Sequence, residues 1–128
     1  MKPNRSLAII LVSALCSLAY ASTRKAWDGT YSPATIHYLI YANELDEAQA
    51  PTRTDQKLSV AVDGDLARQL FDSIGPDLKL GCGTTLGMRQ RQRGDLDCSY
   101  DKENPASPYT CHFGLNLRNG KSIAGATC

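Results

Sequence analysis

The cysteines set the tightest limit on how this chain folds. Of the five in its 128 residues, Cys16 lies in a segment that reads as a leader. Lys2 and Arg5 form a basic start, residues 7–18 an apolar run, and Ala19-Tyr20-Ala21 a small-x-small cleavage site before Ser22. The apolar run is too short to cross about 30 Å of hydrocarbon. Ser13 and Leu15 stand where a lipoprotein signal needs Leu and a small residue, which argues against lipidation. Residues 1–21 are therefore expected to be a signal peptide, and residues 22–128 one mature domain in the periplasm or secreted. Cys82, Cys98, Cys111 and Cys128 remain, an even set in an oxidising compartment that reads as two disulfides.

A domain of that length buries about two thirds of its unfolded surface, enough for a modest core that disulfides would reinforce. Loss of the leader removes two of the 14 Lys and Arg, leaving one fewer than the 13 Asp and Glu. So balanced a charge excludes a nucleic-acid footprint. No second apolar segment follows, so no membrane span is expected after cleavage. Residues 22–128 contain no Asn-x-Ser/Thr sequon.

Residues 34–42, rich in Ile and Tyr, read as a strand, and residues 57–62 as another. Asp63 or Asp65 can cap a helix running to about Ile74, with Leu66, Ala67, Leu70, Phe71 and Ile74 as its apolar stripe and Gly75-Pro76 as its stop. Further on, Leu86, Met88, Gln90, Gln92, Leu96, Cys98 and Tyr100 alternate with Arg89, Arg91, Arg93, Asp95, Asp97, Ser99 and Asp101, with Gly94 as a bulge or bend. Asn119-Gly120 signals a two-residue hairpin turn. Centring the hairpin there places Tyr109, Cys111, Phe113 and Leu115 on its apolar face, with Cys111 opposite Cys128. This register favours Cys111–Cys128, with Cys82–Cys98 by elimination; the main rival is Cys98–Cys111 with Cys82–Cys128. The expected fold is α+β: an antiparallel sheet of about five strands, one helix on one face, stapled by disulfides.

Chemistry-bearing motifs are few. Arg89, Arg91 and Arg93 could grip an anion, but an alternating face of three arginines and three aspartates reads better as a self-cancelling solvent surface. Arg93-Gly94-Asp95 spells an adhesion tripeptide too short to be informative. The glycines around Cys82 have the wrong spacing for a dinucleotide fingerprint, and Gly120-Lys121-Ser122 lacks the earlier glycine of a P-loop. Nothing in the sequence gives His37 or His112 partners for a zinc site or a catalytic triad. With the mature cysteines paired, no thiol nucleophile remains. No catalytic residue, metal site or cofactor is expected.

Binding loops are the stronger reading. The connection 43–56 carries Glu44, Asp46 and Glu47 before Pro51 and exceeds an ordinary hairpin loop; its plainer reading is a short surface helix capped by Asn43. The connection 102–108 carries Lys102, Glu103 and Asn104 beside two prolines that limit the entropy lost on binding. Trp27 and Tyr31 could stack on a sugar or partner, although such aromatics more often pin an N-terminal segment to a core.

Phe71-Asp72-Ser73-Ile74-Gly75-Pro76-Asp77, then Cys98, Tyr109-x-Cys111-x-Phe113-Gly114 and Gly120-Lys121-Ser122 before Cys128, resembles a group of small exported cysteine-containing proteins of Gram-negative bacteria. The resemblance implies export and a cysteine framework, and brings no activity with it. The architecture is also similar, by analogy, to periplasmic lysozyme inhibitors and immunity proteins. The leading expectation is an exported soluble binding protein that engages a periplasmic or secreted protein through a surface loop. A small-ligand or glycan-binding envelope module is the alternative, and a hydrolytic enzyme the third reading.

Overall fold

A computed structural model describes residues 26–81 and 87–127. Contacts divide the chain into two units, Met1–Ser32 and Pro33–Cys128. Within the first, Asp28 Oδ1 accepts hydrogen bonds from the Thr30 backbone N–H (3.0 Å) and hydroxyl (2.6 Å), and Trp27 and Tyr31 are exposed.

The second unit carries β1 (Thr35–Tyr41), a 3-10 turn (Leu45–Glu47), β2 (Lys57–Asp63), α1 (Gly64–Ser73), β3 (Met88–Arg93), β4 (Leu96–Asp101), β5 (Tyr109–Asn116) and β6 (Ser122–Ile123). The sheet is antiparallel, ordered β1-β2-β5-β4-β3, and β6 pairs with β5 beyond the reach of β4. This is the expected α+β architecture, with a short sixth strand added.

Alternation along the strands decides what lies beneath the helix. Ile36, Val62, Cys111, Cys98 and Arg91 stand directly opposite one another in a row across all five strands. Val60, Val62, Cys98 and Cys111 are buried on this face, with Leu58, Leu96, Tyr100, Tyr109 and Phe113 packed around them. The helix lays Ala67, Phe71 and Ile74 on the cluster, as its apolar stripe requires. Ala67 is fully buried, and its carbonyl oxygen lies 3.3 Å from Cys111 Sγ, so the backbone descends close to the sheet where the side chains are shortest. Phe71 meets Tyr109 edge-on at 5.4 Å, and Tyr109 meets Tyr100 at 4.9 Å.

The cysteine pairing corrects the favoured expectation. Cys98 bonds Cys111 directly across β4 and β5, at a Cα separation of 4.0 Å. The reason is register. A type I′ turn needs positive φ at both central residues, and of Asn119 and Gly120 only Gly120 adopts it. The connection is instead a four-residue loop closed by Asn116 N–H to Lys121 O (2.8 Å) and Gly120 N–H to Asn116 O (2.8 Å). The side chains of Asn116 and Asn119 stabilise it by accepting from Arg118 N–H (3.0 Å) and Lys121 N–H (2.9 Å). Leu115 therefore faces Ser122, two residues out of the expected register, and β6 ends at Ile123. The shift is even, so the faces survive while the Cys111–Cys128 opposition does not. The favoured Cys82–Cys98 bond falls with it. Cys82 and Cys128 lie outside the described residues.

A second correction concerns β3 and β4. Gly94, at φ +59°, opens a two-residue turn that pairs Arg93 with Leu96. Glycine in the first central position is the pattern of a type II′ hairpin. An even turn exchanges odd and even positions between its strands. Arg89, Arg91 and Arg93 thus share the helix-side face with Leu96, Cys98 and Tyr100, and Gln90 and Gln92 share the other with Asp97 and Ser99.

Peptide mass spectrometry without reduction should recover Cys98 linked to Cys111. Replacing both by serine should cost about 3 kcal/mol in chemical denaturation, the chain-entropy value for so short a loop. Phe71→Ala should cost about 3–5 kcal/mol in the same assay, the range for emptying a buried aromatic site.

Candidate functional site

β1 is the least covered element. It forms one end of the strand order, and α1 packs chiefly on β2, β4 and β5. Its helix-side residues Tyr38, Ile36 and Ile40 are 71%, 51% and 41% exposed, and Leu39 on the other face is 47% exposed. The strand contains no Asp, Glu, Lys or Arg. Edge strands are ordinarily blunted by charge, proline or a bulge, and β1 has none of these within its span. It is bounded instead by Pro33 before it and by Asn43, in the left-handed region at φ +67°, after it.

The acidic connection follows immediately. Leu45–Glu47 forms a single 3-10 turn rather than a helix capped by Asn43 and ended by Pro51. Ala42 and Gln49 exchange backbone hydrogen bonds (3.0 and 3.1 Å), and Asp55 Oδ2 accepts from Asn43 N–H (2.8 Å), so the loop is tied at its base. Lys57 Nζ lies 3.9 Å from Glu44 and 3.7 Å from Asp55. Asp46 and Glu47 are exposed and make no ion pair among the described residues.

Lys102, Glu103 and Asn104 occupy a different place. Their loop is closed by Asp101 N–H to Pro108 O (2.8 Å) and by Asp101 Oδ1 accepting from Glu103 N–H (2.9 Å). All three are exposed. β1 ends at Tyr41, opposite Lys57 in the row that reaches Asn116, whereas β4 ends next to the start of β5. The two loops therefore leave opposite ends of the sheet, and the six residues do not form one site.

The arginine run is used internally. Arg91 Nη1 donates to the Phe71 carbonyl (2.7 Å), placing a cation at the C-terminal end of α1 where the helix dipole favours it. Its guanidinium carbon lies 4.2 Å from the Phe71 ring centroid, and that of Arg89 lies 5.2 Å away. Asp77 receives both: Arg89 Nε at 2.7 Å and Arg91 Nε at 2.6 Å. Hydrogen bonds from Arg89 and Arg91 lower the Asp77 pKa from 3.8 to about 2. The expected cancellation by aspartates on the same strands is replaced by one aspartate from the post-helix segment, and two of the arginines serve the core.

The histidines flank Ala61 on the sheet face away from α1. His37 Nε2 lies 3.6 Å from Asp63 Oδ2, while Asp63 Oδ1 accepts from Thr110 (3.0 Å) and Ser107 (3.3 Å). Asp63 occupies the N-cap position of α1 without capping it by its side chain. A hydrolytic triad needs the imidazole between hydroxyl and carboxylate; here the carboxylate lies between the other two. Among the described residues no three His, Cys, Asp or Glu side chains are grouped to hold a metal ion. The glycine-rich stretch around Cys82 lies largely outside the described residues, and Gly120-Lys121-Ser122 runs from the β5–β6 loop into β6.

No protein-family model matches the chain, and comparison with curated proteins and with solved structures likewise returned no match. What defines the protein is its own geometry: a disulfide-bonded α+β domain with an apolar sheet edge beside an acidic turn. No helix among the described residues is long and apolar enough to cross a membrane.

The Asp77 clasp yields a pH dependence of known sign. Because its folded pKa is depressed, its stabilising contribution is complete above the ordinary 3.8 and is lost as pH falls through about 2. Denaturation of wild type and Asp77→Asn across this window should show wild type more stable at neutral pH, with the difference shrinking steadily toward pH 2.

Proposed function

We propose that this is an exported soluble binding protein that engages another protein, acting by steric occlusion in the manner of an inhibitor or immunity protein, without cofactor or turnover. One observation carries this reading: β1 is an uncharged sheet edge whose four large apolar side chains are 41–71% exposed. Such an edge invites an extended segment that adds a strand through main-chain hydrogen bonds and fills alternate side-chain positions. The acidic turn selects among such segments. Asp46 and Glu47, exposed and without ion pairs among the described residues, favour a partner strand flanked by Lys or Arg. The recognising surface thus takes in Glu44, Asp46 and Glu47, whereas Lys102, Glu103 and Asn104 at the other end of the sheet stand apart from it. Self-pairing through β1 is a weaker match, since an antiparallel second copy would bring Pro33 and Thr35, and no Lys or Arg from the strand, beside the acidic turn.

Affinity capture from envelope extract with the mature domain should recover one stoichiometric protein. The double variant Ile36→Lys/Tyr38→Lys should lose it while melting within about 0.5 kcal/mol of wild type, since both positions are exposed. Capture undiminished by this variant, or concentration-dependent dimerisation abolished by it, would overturn the heterologous reading.

A further inference from the structure

Among the described residues no helix lies over the sheet face away from α1, and what covers it is partial. Leu78 N–H donates to Gln90 O (2.7 Å), tying the post-helix segment to β3. On the other side the C-terminal segment crosses β5 so closely that a Cβ on Gly125 would collide with the Phe113 backbone. Ser59 Oγ donates to Gly125 O at 2.6 Å from beneath. Between these two crossings lies a cavity of about 410 Å³, within the range of about 300–1,000 Å³ typical of small-ligand sites.

The chemistry of its lining is uneven. Gln90, Gln92, Asp97, Ser99 and His112 from β3, β4 and β5 are among its polar groups, with Asp95 and Thr127 from the irregular segments. Leu78, Leu80, Met88, Ala124 and Ala126 supply apolar surface. Asp95 and Asp97 bring two carboxylates, and among the described residues the lining contains no Lys or Arg. Asp97 is half-buried, and its Oδ2 accepts from Gln90 Nε2 at 2.5 Å. That amide fixes the carboxylate's orientation, while Oδ1 accepts no hydrogen bond from the described residues. An oriented, half-buried carboxylate beside apolar walls discriminates against anions and rewards a cationic donor.

We propose that this cavity is a binding site for a small organic cation, an amine or guanidinium on a short apolar stem, with Asp97 Oδ1 as the acceptor of its charged N–H and the apolar walls covering the stem. The cation can belong to a free metabolite-sized amine or to the side chain of a basic peptide, and the chemistry of recognition is the same for both. The site lies on a different face from the exposed helix-side residues of β1 and does not depend on the reading of that edge.

The test uses the mature protein with cadaverine and agmatine as free cations, N-acetyl-Gly-Lys-Gly-amide and N-acetyl-Gly-Arg-Gly-amide as peptide-borne ones, and 1-pentanol and glutarate as neutral and anionic controls. Titration is followed by calorimetry and by the amide NMR signals of His112, Ser99 and Ala126. Saturable binding of cations that moves those signals is expected, with no saturation by the controls and at least a tenfold loss of affinity in Asp97→Asn, which keeps the side chain's shape. Binding by the peptides alone assigns the site to a basic side chain, and binding by the free amines alone to a metabolite. Thermal melts report whether Asp97→Asn is folded; should it fail, Ser99→Ala and the signal map on wild type decide. Absence of saturable cation binding, signals moving elsewhere, or equal affinity of a folded Asp97→Asn overturns the proposal. Ile36→Lys/Tyr38→Lys should leave cation binding unchanged.

Discussion

Phe71 is the joint on which the rest of the domain turns. Its ring lies against Tyr109 on the sheet, under the guanidinium of Arg91, one turn from Ala67, whose carbonyl lies against Cys111. Its carbonyl receives the same arginine. Helix, sheet and β3 are thereby fixed by one residue and its immediate neighbours, and Asp77 holds the arginines that close the arrangement. The reach of this joint is limited. A ten-residue helix is about 15 Å long and about 10 Å across, whereas five strands spaced about 4.8 Å apart span roughly 19 Å between outer strands. With α1 seated over β2, β5 and β4, the outer strands must be dealt with separately. On β3 the arginines and Asp77 do so; on β1 nothing comparable is found among the described residues.

Much of this frame was legible in the sequence. The apolar stripe from Leu66 to Ile74, the alternation of Tyr109, Cys111 and Phe113, and the two early strands each express a single periodicity over a single element. Errors arose where two elements had to be aligned. The run from Met88 to Asp101 alternates smoothly as text, yet the turn at Gly94 exchanges its faces, and periodicity within a strand carries no information about that exchange. Asn119-Gly120 failed for a related reason: asparagine side chains at 116 and 119 stabilise a longer loop than the dipeptide alone implies. The cysteine pairing inherited that slip.

The candidate sites were legible in a different measure. Both polar connections read as loops from composition, but their placement at opposite ends depends on strand order, which no local pattern encodes. The Ile- and Tyr-rich composition of β1 marks a strand, but it does not place that strand at the end of the order β1-β2-β5-β4-β3 among the described residues. The cavity on the other face joins residues from β3, β4, β5 and two irregular segments, and only the folded chain brings them together.

The position of the disulfide has a consequence for how the fold is reached. Cys98 and Cys111 are 13 residues apart and join strands that are already consecutive in the chain. The demanding closure is elsewhere: β2 must find β5 across the helix, β3 and β4, and non-local pairings of this kind are the slow ones. The Cys98–Cys111 bond shortens that search only by the 13-residue separation of its cysteines, a small saving because closure entropy grows slowly with loop length. The bond is therefore a brace within one neighbourhood, and its oxidation governs how firmly the centre of the sheet holds more than which strands become neighbours.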